Sequence, residues 1–282
     1  MAFTTTTRAL VLGGGGITGI GWEIGVLAGL LDKGVDLRGA DTVIGTSAGS
    51  IVGMNYASGT DWEALFTDQA HAGEHEPVIR TDPGVYEGWI EAFRAGAGDP
   101  EAVGAGFGRV ARKYGASVDA ETRRAVVRAR LRTTQWPANM RVSVTDADTG
   151  RLELLGPHAG VSTETATAAS GAVPGIWPSV QFNGREWIDA GMVSAANATL
   201  AAGHDRIIVL APMYEGHAGI PSAQDDVARL NDSARAFLVI PDDASRDAIG
   251  PNPYDPNRAQ AAAEAGRHQG RANAADVKAL WG

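Results

Sequence analysis

The 282 residues are ample for a sizeable hydrophobic core, and the absence of cysteine excludes disulfides, thiolate chemistry and cysteine zinc sites. A formal charge of −9 at pH 7 argues against a protein made to coat nucleic acid. Residues Met1 to Arg8 lack the cationic leader, apolar run and cleavage site of a signal peptide, and no apolar stretch nears the ~20 residues needed to span a bilayer. The expectation is a soluble, cytoplasmic protein of one domain, residues 1–282, whose contact with lipid is at most peripheral.

Arg8 to Leu12 reads as a buried strand that runs into Gly13-Gly14-Gly15-Gly16-Ile17-Thr18-Gly19. Consecutive glycines cost backbone entropy, and they let backbone N–H groups approach a ligand with no side chain in the way. The loop is therefore a phosphate cradle or an oxyanion hole. Ile20, Ile24, Leu27 and Leu31 follow at helical spacing, with Val26 and Leu30 on a second apolar face, and Gly34 ends the helix.

Thr42 to Ile44 is a second short strand, and Gly45-x-Ser47-x-Gly49 follows it. This is the pattern of a nucleophile elbow, a strained turn that projects a serine hydroxyl into open space before a helix of small residues. The glycine loop also fits the dinucleotide fingerprint Gly14-x-Gly16-x-x-Gly19, which needs an acidic residue after the second strand. Asp41 lies before that strand, so no nucleotide cofactor is expected. An oxyanion hole beside a nucleophilic serine uses both motifs at once. Strand, loop, helix, strand, elbow, helix is the alternation of a parallel sheet with right-handed crossovers.

From about 60 to 132 the spacing of Trp62, Leu65, Phe66, Trp89, Ile90, Phe93, Val103, Phe107 and Val110 predicts a helical insertion. Asp99-Pro100 marks an N-cap with proline at the first helical position. The aromatics form either the insertion's own core or a lid over an acyl site. Arg109, Arg112, Lys113, Arg123, Arg124, Arg128, Arg130 and Arg132 make a basic run, read as a solvated helix face, with attraction to anionic lipid as the functional alternative.

Met140 to Asp146 and Arg151 to Leu155 alternate as strands of a hairpin. Asp146-x-Asp148-x-Gly150 resembles the start of a calcium loop, but Pro157 stands where a glutamate is required, and no other cluster has metal-ligand spacing. Thr163 to Ala172 suits a short, closely packed helix. Ser179 to Phe182 and Arg185 to Ile188 flank Asn183-Gly184, a strong hairpin signal, and deliver Asp189 at a strand tip. Arg206 to Leu210 and Ala236 to Ile240 are further strands. The tail from about 256 to 281 is alanine-rich and helical in propensity.

Taken together, the glycine loop, the elbow, Ala169-Ser170-Gly171-Ala172-Val173-Pro174-Gly175-Ile176-Trp177-Pro178 and Asp189-Ala190-Gly191 resemble the patatin-like phospholipases. The resemblance covers most of residues 8 to 212. It implies a three-layer α/β/α fold with a mainly parallel sheet, and hydrolysis of lipid acyl esters by a serine and aspartate dyad without histidine; from the motif spacings above, no metal or cofactor is expected. Carried onto this chain, Ser47 is the nucleophile and Asp189 the base. Gly14, Gly15, Gly16 and Ala48 are the oxyanion donors, with Gly19, Gly45, Gly49, Ala190 and Gly191 as motif residues. Two positions depart from the family pattern: Thr18, where lysine or arginine is usual, and Ala190, where glycine is usual.

A carboxylate has a reference pKa near ~3.9, so Asp189 serves as base only where the site is dry. One rival reading is an α/β-hydrolase triad completed by His204 or His217. Another, motivated by Thr18 and Ala190, is a non-catalytic lipid or acyl binding protein on the same fold.

Overall fold

Leu10 and Leu12 point to one side of the first strand and Ala9 and Val11 to the other, and all four are fully buried. An apolar strand buried on both faces requires a layer above and a layer below. A computed structural model describes residues 6–74, 76, 77, 79, 81–194 and 196–282, so most of the segment read as lacking a leader lies outside the described residues.

The first half of the chain gives β1 (Arg8–Leu12), α1 (Gly16–Asp32), β2 (Thr42–Gly45), α2 (Ala48–Ala57), α3 (Trp62–Thr67), α4 (Pro83–Gly96), α5 (Pro100–Tyr114) and α6 (Ala120–Arg130). There follow β3 (Met140–Asp146), β4 (Leu152–Leu155), α7 (Thr163–Ser170), β5 (Val180–Phe182) and β6 (Arg185–Ile188). The chain ends with β7 (Arg206–Leu210), α8 (Ala223–Leu230), β8 (Arg235–Val239), α9 (Asp243–Ile249) and α10 (Ala259–Trp281). The eight strands form one mixed sheet in which β3, β2, β1, β7 and β8 are neighbours and parallel. β4 and β6 pair antiparallel with β3, and β5 with β6.

Leu10, Leu12, Val43, Val142 and Ile208 share a core with α1, α2 and α10, while Ala9, Val11, Ile44, Ile207 and Val209 share another with α8 and the turn at Ala198 and Ala201. The expected three layers are present. Asn183 and Gly184 take φ of 51° and 71° between β5 and β6, as a two-residue hairpin turn demands.

The C-terminal helix is more than a tail. A Cβ on Gly21, Gly25 or Gly29 of α1 would lie 2.4, 2.0 or 2.1 Å from a carbonyl oxygen of α10, and one on Gly266 or Gly270 would collide with α1 in return. Bare glycine backbone on both helices permits this close crossing, so α10 is a core element that completes the layer over α1.

The helices from α3 to α6 divide the aromatics expected of an insertion. Trp62 and Leu65 enter the main core, where the Trp62 indole donates to the Ile24 carbonyl at 3.1 Å. Val103 and Phe107 form a smaller core with Ala92, Ala147 and Ile188, and half-buried Trp89 and Phe93 pack at its edge. Asp99 caps α5 by accepting from Glu101 N at 3.0 Å, with Pro100 at the first helical position.

Candidate active site

The register of β3 explains why residues far apart in sequence meet. Val142 pairs with Gly45 of β2 and with Leu155 of β4, so those strands occupy opposite edges. Thr145 pairs with Leu152 of β4 and with Ile188 of β6, so β6 shares the edge of β2. β2 runs up that edge and stops at Gly45, while β6 runs down it and stops at Ile188. Ser47 and Asp189 are the residues the two strands deliver into the gap.

Ser47 sits at φ 51°, ψ −113°, a conformation that costs an L-residue ~1–3 kcal/mol unless its surroundings impose it. They do. A Cβ on Gly45 would lie 2.4 Å from the Gly49 carbonyl oxygen, and one on Gly49 would lie 2.1 Å from that of Leu12. The Ser47 N–H donates to Ser170 Oγ at 2.8 Å, and its carbonyl accepts from Ser50 Oγ at 2.6 Å.

Beside the elbow, the glycine loop has its carbonyls committed and its amides free. The oxygens of Gly13, Gly14 and Gly15 accept from the N–H groups of Gly49, Met213 and Gly19. The N–H groups of Gly14, Gly15, Gly16 and Ala48 find no acceptor among the described residues. Gly14 packs directly on Ser47, since its Cβ would lie 3.6 Å from Ser47 Cβ. Gly19 lies beneath the loop against Pro212. Thr18 is buried and turns its N–H and hydroxyl to the Pro253 carbonyl, at 3.2 and 3.4 Å, so this position supplies packing and no charge.

Asp189 is 2% exposed, and burial pushes its carboxyl up to about 6. The Ser47 hydroxyl, the Gly191 N–H and the Arg123 guanidinium each pull the other way. Gly191 N donates to Asp189 Oδ1 at 2.7 Å. Ala190 is absent from the residues with positive φ and starts a short 3-10 turn, so alanine fits here without the strain a left-handed glycine site would impose. Asn197 Nδ2 donates to Thr46 Oγ1 and to the Ala190 carbonyl, both at 3.1 Å, and so ties the residue before Ser47 to the residue after Asp189. Three consecutive residues fasten the remaining parts. Ser170 holds the elbow, the Gly171 carbonyl accepts from Arg123, and the Ala172 carbonyl accepts from Asp189 N.

Two cavities meet at Ser47. One, of about 390 Å3, is walled by Gly14, Gly15, Gly16, Asp189, Trp89, Phe93, Met192 and Met213. The other, of about 400 Å3, holds Ala48, Ile51, Trp177, Arg123 and Arg130. Trp89 and Phe93 thus line the first cavity while edging the insertion's own core, whereas Phe107 is wholly core.

The basic run is not one solvated face. Arg112 pairs with Asp148 and Glu186, Arg124 and Arg128 with Glu121 and Glu164, and Arg132 with Asp68, all at the surface. Arg130 is mostly buried against Glu76, and Arg123 is 4% exposed. The signal for Arg123 was its spacing, three and four residues from Val126 and Val127, which are the other buried residues of α6.

The histidines separate by place. His204 is bonded through both ring nitrogens, to the Ala201 carbonyl and Thr42 Oγ1, and is held at the end of the sheet opposite Ser47. His217 is fixed by a backbone bridge to Ile220, lies against Phe93 and lines the apolar cavity, but no described group hydrogen-bonds its ring. Asp146 caps its own turn and pairs with Arg185 at 2.6 Å. Among the described residues no three His, Asp or Glu side chains gather as a metal site, and no helix is long and apolar enough to cross a membrane.

A family model described as patatin-like phospholipase matches residues 10–202. No curated protein matches the sequence. Among solved structures, VipD from Legionella pneumophila is similar with a TM-score of 0.49 and 13% identity, over 98% of this chain and 67% of that one. The type III effector protein ExoU gives 0.44 and 17%, over 97% and 54%. ExoU in its heterodimeric complex with SpcU from Pseudomonas aeruginosa gives 0.45 and 15%, over 99% and 52%, so the chain spans about half the length of these ExoU chains.

Proposed function

The chain belongs to the patatin-like phospholipase family, a family of lipid acyl hydrolases, and from that premise we propose that it cleaves acyl esters through a Ser47 and Asp189 dyad. Ser47 Oγ attacks the acyl carbonyl while its proton passes to Asp189. The oxygen of the tetrahedral intermediate is received by the N–H groups of Gly14, Gly15, Gly16 and Ala48, each donor typically worth ~2.7 to 4 kcal/mol. Collapse releases the alcohol, which takes the proton from Asp189, and leaves the acyl group on Ser47. Asp189 then deprotonates water, which attacks the acyl-enzyme; the acyl–Oγ bond breaks, the carboxylic acid leaves and Asp189 returns the proton to Ser47 Oγ. Residues 1–282 act as one catalytic domain, with the helices of about 60–132 as an insertion whose Trp89 and Phe93 meet the acyl chain. Cytoplasmic location and peripheral contact with lipid belong to the same proposal.

The observation that carries the reading is the juxtaposition of a strained serine, a buried carboxyl raised to about 6 and a row of unclaimed amides around one cavity. A carboxyl so raised is a better base than one in water and still largely ionised at neutral pH. The test is labelling with a fluorophosphonate followed by mass spectrometry. Adduct on Ser47 is expected, and an intact Ser47 with label elsewhere, or no label, refutes the assignment. The triad alternative is less well supported, because His204 lies at the far end of the sheet and the His217 ring has no orienting partner among the described residues.

A further inference from the structure

We propose that Tyr254 is a further catalytic residue, whose hydroxyl donates a hydrogen bond to the leaving oxygen of the ester as its bond to the acyl carbon breaks. The proposal rests on Ser47 being the nucleophile and on Trp89 and Phe93 meeting the acyl chain. It adds what receives the other half of the scissile bond.

The two cavities at Ser47 share a short border. Gly16, Ser47, Val173 and Tyr254 are the described residues that line both. With the acyl chain in the cavity of Trp89 and Phe93, the alcohol portion extends into that of Ile51 and Trp177, and the ester oxygen that joins the two portions lies on the border. Of the four residues there, Ser47 Oγ forms the new bond, the Gly16 N–H is committed to the oxyanion and Val173 offers only carbon. Tyr254 is the member with a side-chain donor left to give.

Its place is set by the oxyanion loop itself. A Cβ on Gly16 would lie 2.4 Å from the Pro253 carbonyl oxygen, and the same oxygen accepts from the N–H and hydroxyl of Thr18. The link from α9 to α10 is thereby laid across the loop, and the Tyr254 N–H donates to Asn252 Oδ1 at 3.0 Å. The Tyr254 ring packs against Val126, Val173, Ile176 and Trp177, a task phenylalanine would perform as well. Its hydroxyl makes no hydrogen bond among the described residues, although it feels the charges of Asp189 and Arg123. Burial, with Asp189 adding to it, pushes that hydroxyl above the ordinary phenol range, so it keeps its proton and acts as a donor alone.

In acylation the bond from the acyl carbon to the leaving oxygen breaks, and that oxygen takes the proton which Asp189 received from Ser47. Tyr254 transfers nothing. Its hydrogen bond strengthens while the oxygen carries negative charge and weakens once the alcohol is neutral, so it favours the transition state over both ground states. The help is felt in proportion to the charge the oxygen must bear. An alkyl alcohol needs it, and p-nitrophenolate, which spreads its charge over the ring, does not.

The test is kcat/KM, which reports acylation, for ethyl, trifluoroethyl and p-nitrophenyl octanoate. These share the acyl chain and differ in the charge left on the departing oxygen. Tyr254→Phe is expected to lower the value ~30-fold for the ethyl ester, the worth of one hydrogen bond to a charged oxygen, less for the trifluoroethyl ester and no more than ~3-fold for the p-nitrophenyl ester. A hydroxyl with a merely structural role would lower all three alike and shift the thermal midpoint. That even loss, or an unchanged rate on the ethyl ester, overturns the proposal. Tyr254→Leu, which loses the ring as well, should add a loss common to the three esters and keep the spread between them; an even loss in that variant refutes the role in the same way. A fluorophosphonate adduct on Ser47 together with an even loss would leave the hydrolase reading standing and remove Tyr254 from the chemistry, whereas no adduct and no turnover of any of the three esters would fell both.

Discussion

The two sides of the Ser47 site are built by different means. On the sheet side, the glycine loop, the elbow and the Asp189 turn are fixed by backbone crowding, with carbonyl oxygens standing where a Cβ of Gly45 or Gly49 would be. On the helix side, α4 and α6 contribute long side chains, and what they offer depends on how Trp89, Phe93, Arg123 and Arg130 are turned. Backbone-built geometry admits almost no substitution, whereas a side-chain wall can be rewritten without moving Ser47. Chemistry should therefore fail sharply when the first side is altered, and selectivity should shift gradually when the second is.

The largest break is expected from Ser47→Ala. It should lower kcat on short p-nitrophenyl esters by at least ~10^4, as removal of the nucleophile does in serine hydrolases, while the thermal midpoint barely moves. Turnover near that of wild type would end the nucleophile assignment. Asp189→Asn should cost at least ~10^3 in kcat. In wild type the acid limb of the pH profile should fall near the raised Asp189 value of about 6, because the base must be ionised.

The same carboxyl carries a stability sign. Raised from 3.8 to about 6, it binds its proton more tightly in the folded state, so its favourable contribution is complete below 3.8 and is lost as pH rises through 6. Asp189→Asn should escape that loss, and its denaturant midpoint should exceed that of wild type at pH 8 but not at pH 4.

Third in size is Gly49→Ala, whose methyl would enter at 2.1 Å from the Leu12 oxygen; it should cost ~3 kcal/mol or more in equilibrium unfolding, or prevent folding. On the helix side Phe93→Ala should be gentler, lowering kcat/KM ~10-fold for long acyl chains and little for acetyl esters. Smallest of all, His217→Asn and dialysis against EDTA should each leave activity within ~3-fold of the control, since no described carboxylate orients that ring and no described cluster offers metal ligands. A dead His217→Asn enzyme would replace the dyad by a triad.

What the sequence made legible follows the same division. Gly45, Ser47 and Gly49, the loop of Gly14, Gly15 and Gly16, and the Asn183-Gly184 hairpin announce themselves because each needs a particular residue for a backbone reason. Arg123 was hidden among surface arginines, because a run of like charges looks the same whether or not one member turns inward. α10 looked like a tail because alanine and glycine signal propensity without signalling what they touch. α8 carries the capping pair Ser222 and Asp225, but a short helix of mostly polar residues between two strands gives too few turns for its periodicity to show. The sharing of one β3 edge by β2 and β6 is a matter of register, which no single segment encodes.

That register also has a consequence for synthesis. β1 and α1 are made long before their partners, since the second edge of β1 is filled by β7 and the glycine face of α1 is covered by α10. A growing chain can assemble β1, β2, β3 and β6, with Ser47 and Asp189 already opposed, before Arg206 emerges. Through that interval an unpaired apolar edge and a bare groove lie open beside a nearly finished site. Such surfaces invite pairing with other chains, so vectorial folding of this protein opens an aggregation hazard in the interval when Ser47 and Asp189 are first together.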